Sequence, residues 1–364
     1  MIQDDDLVRR INLLEILAED DEDVPTPPDN AASDWSEEQI RRYYATSGVE
    51  APTPLFPQLN PDELRAKFPD PADALYRSWF PGLKRSGTEV AAPGVVRFRV
   101  LCWANAGNAE DMYTNEGVGA RRAVSPLLDW CRANDAECLA VQLPGRGARL
   151  REDLLGSAAE AAAALLPIVA SKLADVPYIV IGHSVGTWCG YEFLQLARKE
   201  GLPMPTKVFW SNFPSPNIPL SDRPWKPNRE LSEEAFKTES REWDVNEIVF
   251  TQLWGTYHRI MRADFELFDQ YTFAHARVNA AGAETGTEEH ADNDSKKLLG
   301  GGFDFPLTTF FGTRDRKISR DMVLGWQEFT SGKFEIVEVE GNHLFPLDKE
   351  PKTLWLQHIA DRLP

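Results

Sequence analysis

The chain has 364 residues, 42% of them hydrophobic, with 11 tryptophans, so it can bury a sizeable core. Its 39 basic against 57 acidic residues leave a net charge of −18, which speaks against binding to nucleic-acid phosphates or to anionic lipid. No run of about 18 uninterrupted apolar residues occurs, and the opening MIQDDDLVRR is acidic with no apolar segment behind it, so neither a membrane span nor a secretory signal is expected.

In chain order, residues 1–74 read as an acidic N-terminal extension, partly flexible. Leu7, Ile11, Leu14 and Leu17 recur at helical spacing over Asp5–Leu17. Glu19–Ser33 reads as a solvated linker, and a short helix is expected at Asn60–Phe68. Residues 75–364 form the second domain. From about Val95, short apolar strands alternate with helical stretches, the pattern of a mostly parallel central sheet flanked by helices. The strands are expected at Val96–Trp103, Cys138–Gln142, Tyr178–Gly182, Lys207–Ser211, Leu307–Phe311 and Phe334–Val339. Ser157 and Glu160 have the spacing of a capping box at the start of a helix that Pro167 should kink or end early. A helix is expected over Thr187–Glu200, stopped at Gly201. The roughly 100 residues between the fourth and fifth strands exceed any ordinary connection. They divide into a helical lid insertion at about 212–275, amphipathic over Leu231–Thr272, and a mobile acidic, Gly-rich loop at about 276–302. The cysteines Cys102, Cys131, Cys138 and Cys189 lack metal-ligand spacing and read as reduced, buried thiols of a cytoplasmic protein.

The chemistry concentrates where the third strand runs into Gly182-His-Ser184-Val-Gly186 and a helix follows at once. A serine on so sharp a turn needs small neighbours two residues away on each side, and the turn exposes its hydroxyl at the sheet edge. This is the nucleophile elbow of the α/β-hydrolase fold, whose chain order is serine, acid, histidine. Of the histidines downstream, His343 alone follows a strand directly; His258, His275, His290 and the surface residue His358 do not. Asp315 is the first carboxylate beyond the fifth strand, with Asp321 as the fallback. His183 should point away from Ser184 and serve structurally. The oxyanion hole is expected from the N–H of Val185 and one from the loop Cys102–Asn108, at Ala106 or alternatively Asn105. Trp103, Trp188, Phe250, Trp254, Phe265 and Phe268 are candidate substrate-lining residues. Arg146, Arg149 and Arg151 either meet an acidic partner or form ordinary ion pairs.

Several segments together resemble the stand-alone (type II) thioesterases of polyketide, nonribosomal-peptide and fatty-acid synthases. They are the elbow with Pro177-Tyr178 before it and Gly201-Leu-Pro-Met-Pro205 after it, Gln142-Leu-Pro-Gly-Arg146-Gly-Ala-Arg149-Leu-Arg151-Glu152, Met261-Arg-Ala-Asp264-Phe265, Gly312-Thr-Arg-Asp315, Gly341-Asn-His343 and Trp79-Phe80. The chain departs from that pattern at Ala104-Asn105-Ala106-Gly107-Asn108, at Val185 and at Trp188. The resemblance implies hydrolysis of acyl thioesters on the phosphopantetheine arm of an acyl carrier protein or carrier domain, in editing or product release. It implies no metal and no cofactor of the enzyme's own, and a monomer is favoured. A carboxylesterase or an acyltransferase with the same three residues is the alternative.

Overall fold

The computed structural model describes residues 58–90, 94–118, 123–275, 277–278, 284–285 and 302–364. The helix expected at Asp5–Leu17, the linker at 19–33 and most of the loop at 276–302 lie outside the described residues. Two units are distinguished, residues 1–57 with 275–302, and residues 58–274 with 303–364. Of the first, Arg277–Val278 and Glu284–Thr285 pair as a short antiparallel ladder. The second begins at Gln58, ahead of the boundary expected at residue 75.

Three short helices open that unit: α1 (Pro61–Lys67), α2 (Asp73–Trp79) and α3 (Gly82–Ser86). At α1 the Asn60 side chain caps the Asp62 and Glu63 amides while Glu63 reaches back to the Asn60 N–H, so three N–H groups at the helix's N-terminus are satisfied. There follow β1 (Phe98–Trp103), α4 (Asp111–Thr114), α5 (Pro126–Ala133), β2 (Ala136–Ala140), α6 (Ala158–Leu173), β3 (Tyr178–His183), α7 (Val185–Lys199) and β4 (Lys207–Ser211). The lid carries α8 (Glu233–Glu242) and α9 (Trp254–Asp269); β5 (Leu307–Gly312), α10 (Arg320–Leu324), β6 (Phe334–Val339) and α11 (Lys349–Ala360) complete the unit.

The six strands form one sheet in the order β2-β1-β3-β4-β5-β6, parallel at every pairing. Every residue of β1, β2 and β3 is buried, as a parallel sheet with both faces covered requires. Helices α5 and α11 pack together over one face, where Val100, Cys102, Leu127, Cys131, Trp355 and Ile359 share a core. Helices α6 and α7 pack against each other elsewhere on the unit, and α7 lies on β3. Between β1 and β3 the strand order reverses direction, and at such a switch point the loops leaving the two carboxyl ends part to open a crevice. The elbow and the loop after Trp103 are those two loops.

The structure corrects several local expectations. Strand β2 starts at Ala136, not Cys138, because Glu137 enters the sheet neutralised by Arg99 at 2.9 Å, both side chains nearly buried. Helix α6 runs unbroken through Pro167. Pro167 and Ala163, whose carbonyl loses its amide partner, are both exposed, so water can satisfy the orphan. At the start of α6, Ser157 Oγ accepts the Glu160 N–H, but the Glu160 carboxylate takes the N–H of Gly156 and not that of Ser157. Between α8 and α9 the lid is not one amphipathic helix; a π-helical turn at Val249–Leu253 interrupts it. His358 is half-buried, its ring near Phe310, and not a surface group.

Candidate active site

At the elbow Ser184 has φ 54° and ψ −133°, a region that costs a non-glycine residue on the order of 1–3 kcal/mol and persists only where its surroundings enforce it. They do. The Ser184 N–H donates to Ser211 O at 2.8 Å, and Ser184 O accepts from Thr187 N–H at 2.9 Å. A Cβ on Gly182 would stand 2.7 Å from Gly186 O, and one on Gly186 only 2.5 Å from Trp103 O. Both glycines are therefore steric requirements, and Gly186 is where the helix start meets the end of β1.

The three side chains expected from β3, β5 and β6 meet above the sheet edge. His343 Nε2 lies 2.8 Å from Ser184 Oγ, and His343 Nδ1 lies 2.7 Å from Asp315 Oδ2. Asp315 is held in turn, its Oδ1 accepting the N–H groups of Lys317 and Ile318 at 2.9 Å each. The Asp315 side chain is wholly buried and His343 and Ser184 nearly so. The fallback Asp321 sits exposed on α10. His183 turns away as expected, its Nδ1 2.9 Å from Ser211 Oγ. Burial, then the neighbouring His343, hold its imidazole well below the ordinary histidine range, so it stays neutral. His258 lies within the lid, its Nδ1 bonded to Trp254 O.

The N–H of Val185 opens α7 and has no protein acceptor among the described residues. In the opposing loop Gly107 adopts φ 77° and donates its N–H to Asp264 Oδ2 at 2.7 Å, while Asn108 N–H closes a turn onto Asn105 O at 3.1 Å. The N–H groups of Asn105 and Ala106 have no protein acceptor among the described residues. Asn105 shares the walls of a narrow crevice with Trp103, Val185, Leu143, Asp264 and Leu267; Ala106 does not.

That loop is held by a pair of residues far apart in the chain. Arg146 forms a two-pronged ion pair with Asp264 of α9, the side chains 7% and 3% exposed. Arg146 Nη1 also donates to Asn108 O at 2.8 Å. The lid helix thus grips the loop directly at Gly107 and, through Arg146, at Asn108. Burial alone would lower the guanidinium's pKa; Asp264 outweighs it and the net shift is upward. Arg149 is likewise buried, donating to Gln142 O at 2.9 Å and stacked 4.0 Å over Trp79. Of the three arginines only Arg151 is exposed.

A family model for the thioesterase domain matches residues 126–363. The chain belongs to the thioesterase domain family. It is a thioester hydrolase of the α/β-hydrolase fold. Among curated relatives, the gramicidin S biosynthesis protein GrsT of Aneurinibacillus migulanus is 25% identical over 61% of this chain and 77% of its own. The medium-chain S-acyl fatty acid synthase thioesterase of Rattus norvegicus is 25% identical over 72% and 87%. Among solved structures, the thioesterase RedJ of the prodiginine pathway in Streptomyces coelicolor shares the fold, with TM-score 0.58 and 21% identity over 87% of this chain and 99% of that one. The type II thioesterase BorB shares it at TM-score 0.54 and 20% identity, over 75% and 93%.

In this thioesterase Trp103, one of the six candidate substrate-lining residues, borders the crevice beside the elbow. Trp188 is fully buried, its Nε1 donating to Pro214 O at 2.8 Å and its ring against Phe213, Trp225 and Tyr271. Phe250 and Trp254 face each other within the lid, the latter bonded to Glu233. Phe265 and Phe268 pack with Phe236, Trp225 and Trp243. These aromatics build the lid and its seat. One neighbour of the histidine went unforeseen: Trp243, just past α8, lies edge-on to the His343 ring at 4.6 Å. Among the described residues no cluster of His, Cys, Asp or Glu has the arrangement of a metal site, and no helix is long and apolar enough to cross a membrane.

Proposed function

We propose that this thioesterase hydrolyses acyl groups carried on the phosphopantetheine arm of an acyl or peptidyl carrier protein, through an acyl-Ser184 intermediate. The observation that carries the reading is the two-bond chain from Ser184 Oγ through His343 to Asp315. A serine hydroxyl is a weak nucleophile until a base takes its proton, and the base needs a partner to fix its tautomer. Ser184 attacks the thioester carbonyl as His343 Nε2 takes its proton; that proton goes to the departing thiolate. Water, deprotonated by His343, then attacks the acyl-Ser184 ester, and His343 returns the proton to Ser184 Oγ as the acid is released. The N–H of Val185 with one from Ala106 or Asn105 stabilises the oxyanion, each donor contributing about 3–4 kcal/mol. The scheme draws on side chains and backbone alone, and phosphopantetheine enters as part of the substrate.

The relatives named for gramicidin S biosynthesis and for fatty acid synthase support a carrier-bound substrate. Free, buried cysteines support a reducing, cytoplasmic setting. The test compares acyl-pantetheine, acyl-carrier protein and an oxygen ester, with and without an alcohol acceptor. Faster hydrolysis of the carrier thioester, abolished by Ser184→Ala, is expected. Preferential cleavage of the oxygen ester, or transfer to the alcohol, would replace the reading by an esterase or an acyltransferase.

A further inference from the structure

The helix α8 ends in a way its local chemistry disfavours. Trp243 is the C-cap; the Asp244 N–H returns to Arg241 O at 3.1 Å and the Val245 N–H to Ser240 O at 3.2 Å, the Schellman arrangement in which the residue after the cap is left-handed and usually glycine. Here it is Asp244, at φ 63°. A carboxylate at this end of a helix also faces the negative pole of the peptide dipoles. Two local costs at one residue point to a use for its side chain.

That use is visible in its contacts. Asp244 Oδ2 accepts the backbone N–H of His343 at 3.0 Å. Its Oδ1 accepts from Arg316, the residue next to Asp315, and Arg316 donates as well to Arg241 O. The carboxylate is only 10% exposed. One lid side chain therefore bridges the loop that carries the acid and the loop that carries the base, while its neighbour Trp243 rests against the imidazole.

We infer that Asp244 is a positioning residue, through which the lid fixes the backbone of His343 relative to the loop of Asp315. The inference rests on the Ser184–His343–Asp315 reading. It makes the lid part of the catalytic arrangement, since a lid displaced from the site takes the anchor of the base with it.

Two variants separate positioning from folding. Asp244→Gly removes the carboxylate but suits the left-handed backbone, so the fold is kept. Asp244→Asn tolerates the same backbone and keeps an oxygen to accept the His343 N–H. With an acyl-pantetheine substrate, D244G is expected to lower kcat about 10- to 100-fold, with KM within about threefold of the wild type and a melting temperature within about 5 °C of it. The rate at which a fluorophosphonate probe labels Ser184 falls in parallel. D244N is expected to recover most of the loss, to within about fivefold of the wild type. A D244G kcat within about threefold of the wild type, or a D244N loss as deep as that of D244G, overturns the inference. A wild-type enzyme that fails to label under conditions where a known serine hydrolase reacts instead overturns the triad reading on which it rests.

Discussion

Removing the Asp264 carboxylate separates what the lid ion pair does for stability from what it does for catalysis. Asp264 and Arg146 are 3% and 7% exposed and joined by two bonds, and Asp264 also accepts the Gly107 N–H. Asp264→Leu leaves a guanidinium buried without its counter-charge, which costs about 3–5 kcal/mol. It also orphans the Gly107 N–H, worth about 1–3 kcal/mol. The two overlap, so we expect a loss of about 4–6 kcal/mol in denaturant unfolding. Replacing both partners, as in Arg146→Met with Asp264→Leu, removes the uncompensated charge, and such swaps are often neutral or stabilising. The double variant should therefore regain most of the stability. It should not regain the activity, because Gly107 and Asn108 remain untethered and the loop proposed to hold the oxyanion drifts. The ceiling on that loss is one missing donor, about 10²–10³ in kcat. The paired assay is guanidinium unfolding and kcat on acyl-pantetheine for wild type, single and double variants. A double variant with wild-type kcat would show that the ion pair merely fills the core. A single variant within about 1 kcal/mol of the wild type would refute the energetic argument.

Asp315→Asn should fold normally yet lose on the order of 10³–10⁴ in kcat, because the amide no longer holds His343 in the tautomer that presents Nε2 to Ser184; steady-state kinetics beside a melting curve check this. Pro167→Ala, at an exposed interior position of α6, restores the missing helix bond and should stabilise by about 1–3 kcal/mol, read from chemical denaturation. At the lid's end, burial above all pushes the Asp269 carboxyl up to about 7. A folded-state pKa above the unfolded one means the folded protein binds more protons between the ordinary carboxylate range and about pH 7. Stability should accordingly fall as pH rises through that window, and Asp269→Asn should flatten the slope in unfolding measured from pH 4 to pH 8.

The parts of this enzyme that were legible in the sequence are those whose signal is local. An apolar strand meeting Gly182-His-Ser184-Val-Gly186 announces the elbow because the turn itself demands those glycines, and Asp315 and His343 each stand directly after a strand. What escaped depends on partners far away in the chain. Glu137 looks too polar to begin a buried strand until Arg99 is seen beside it. Arg146 reads equally as a surface cation until Asp264, 118 residues on, is found to meet it. Trp188 and the lid aromatics have the composition of an acyl pocket, yet their rings find one another first. Asp244 did carry a local sign, an acid just beyond a helix end where glycine is usual, although its target lies 99 residues away. Pro167 misled for the opposite reason: a helix tolerates it when the orphaned carbonyl faces water.

The most direct test of the account is to quench the enzyme within its first turnovers of an acyl-pantetheine thioester and map the acyl group by peptide mass spectrometry. The account predicts an acyl adduct on the peptide containing Ser184, formed by the wild type and lost in Ser184→Ala together with hydrolysis. An adduct on another residue, or undiminished turnover in Ser184→Ala, would contradict it.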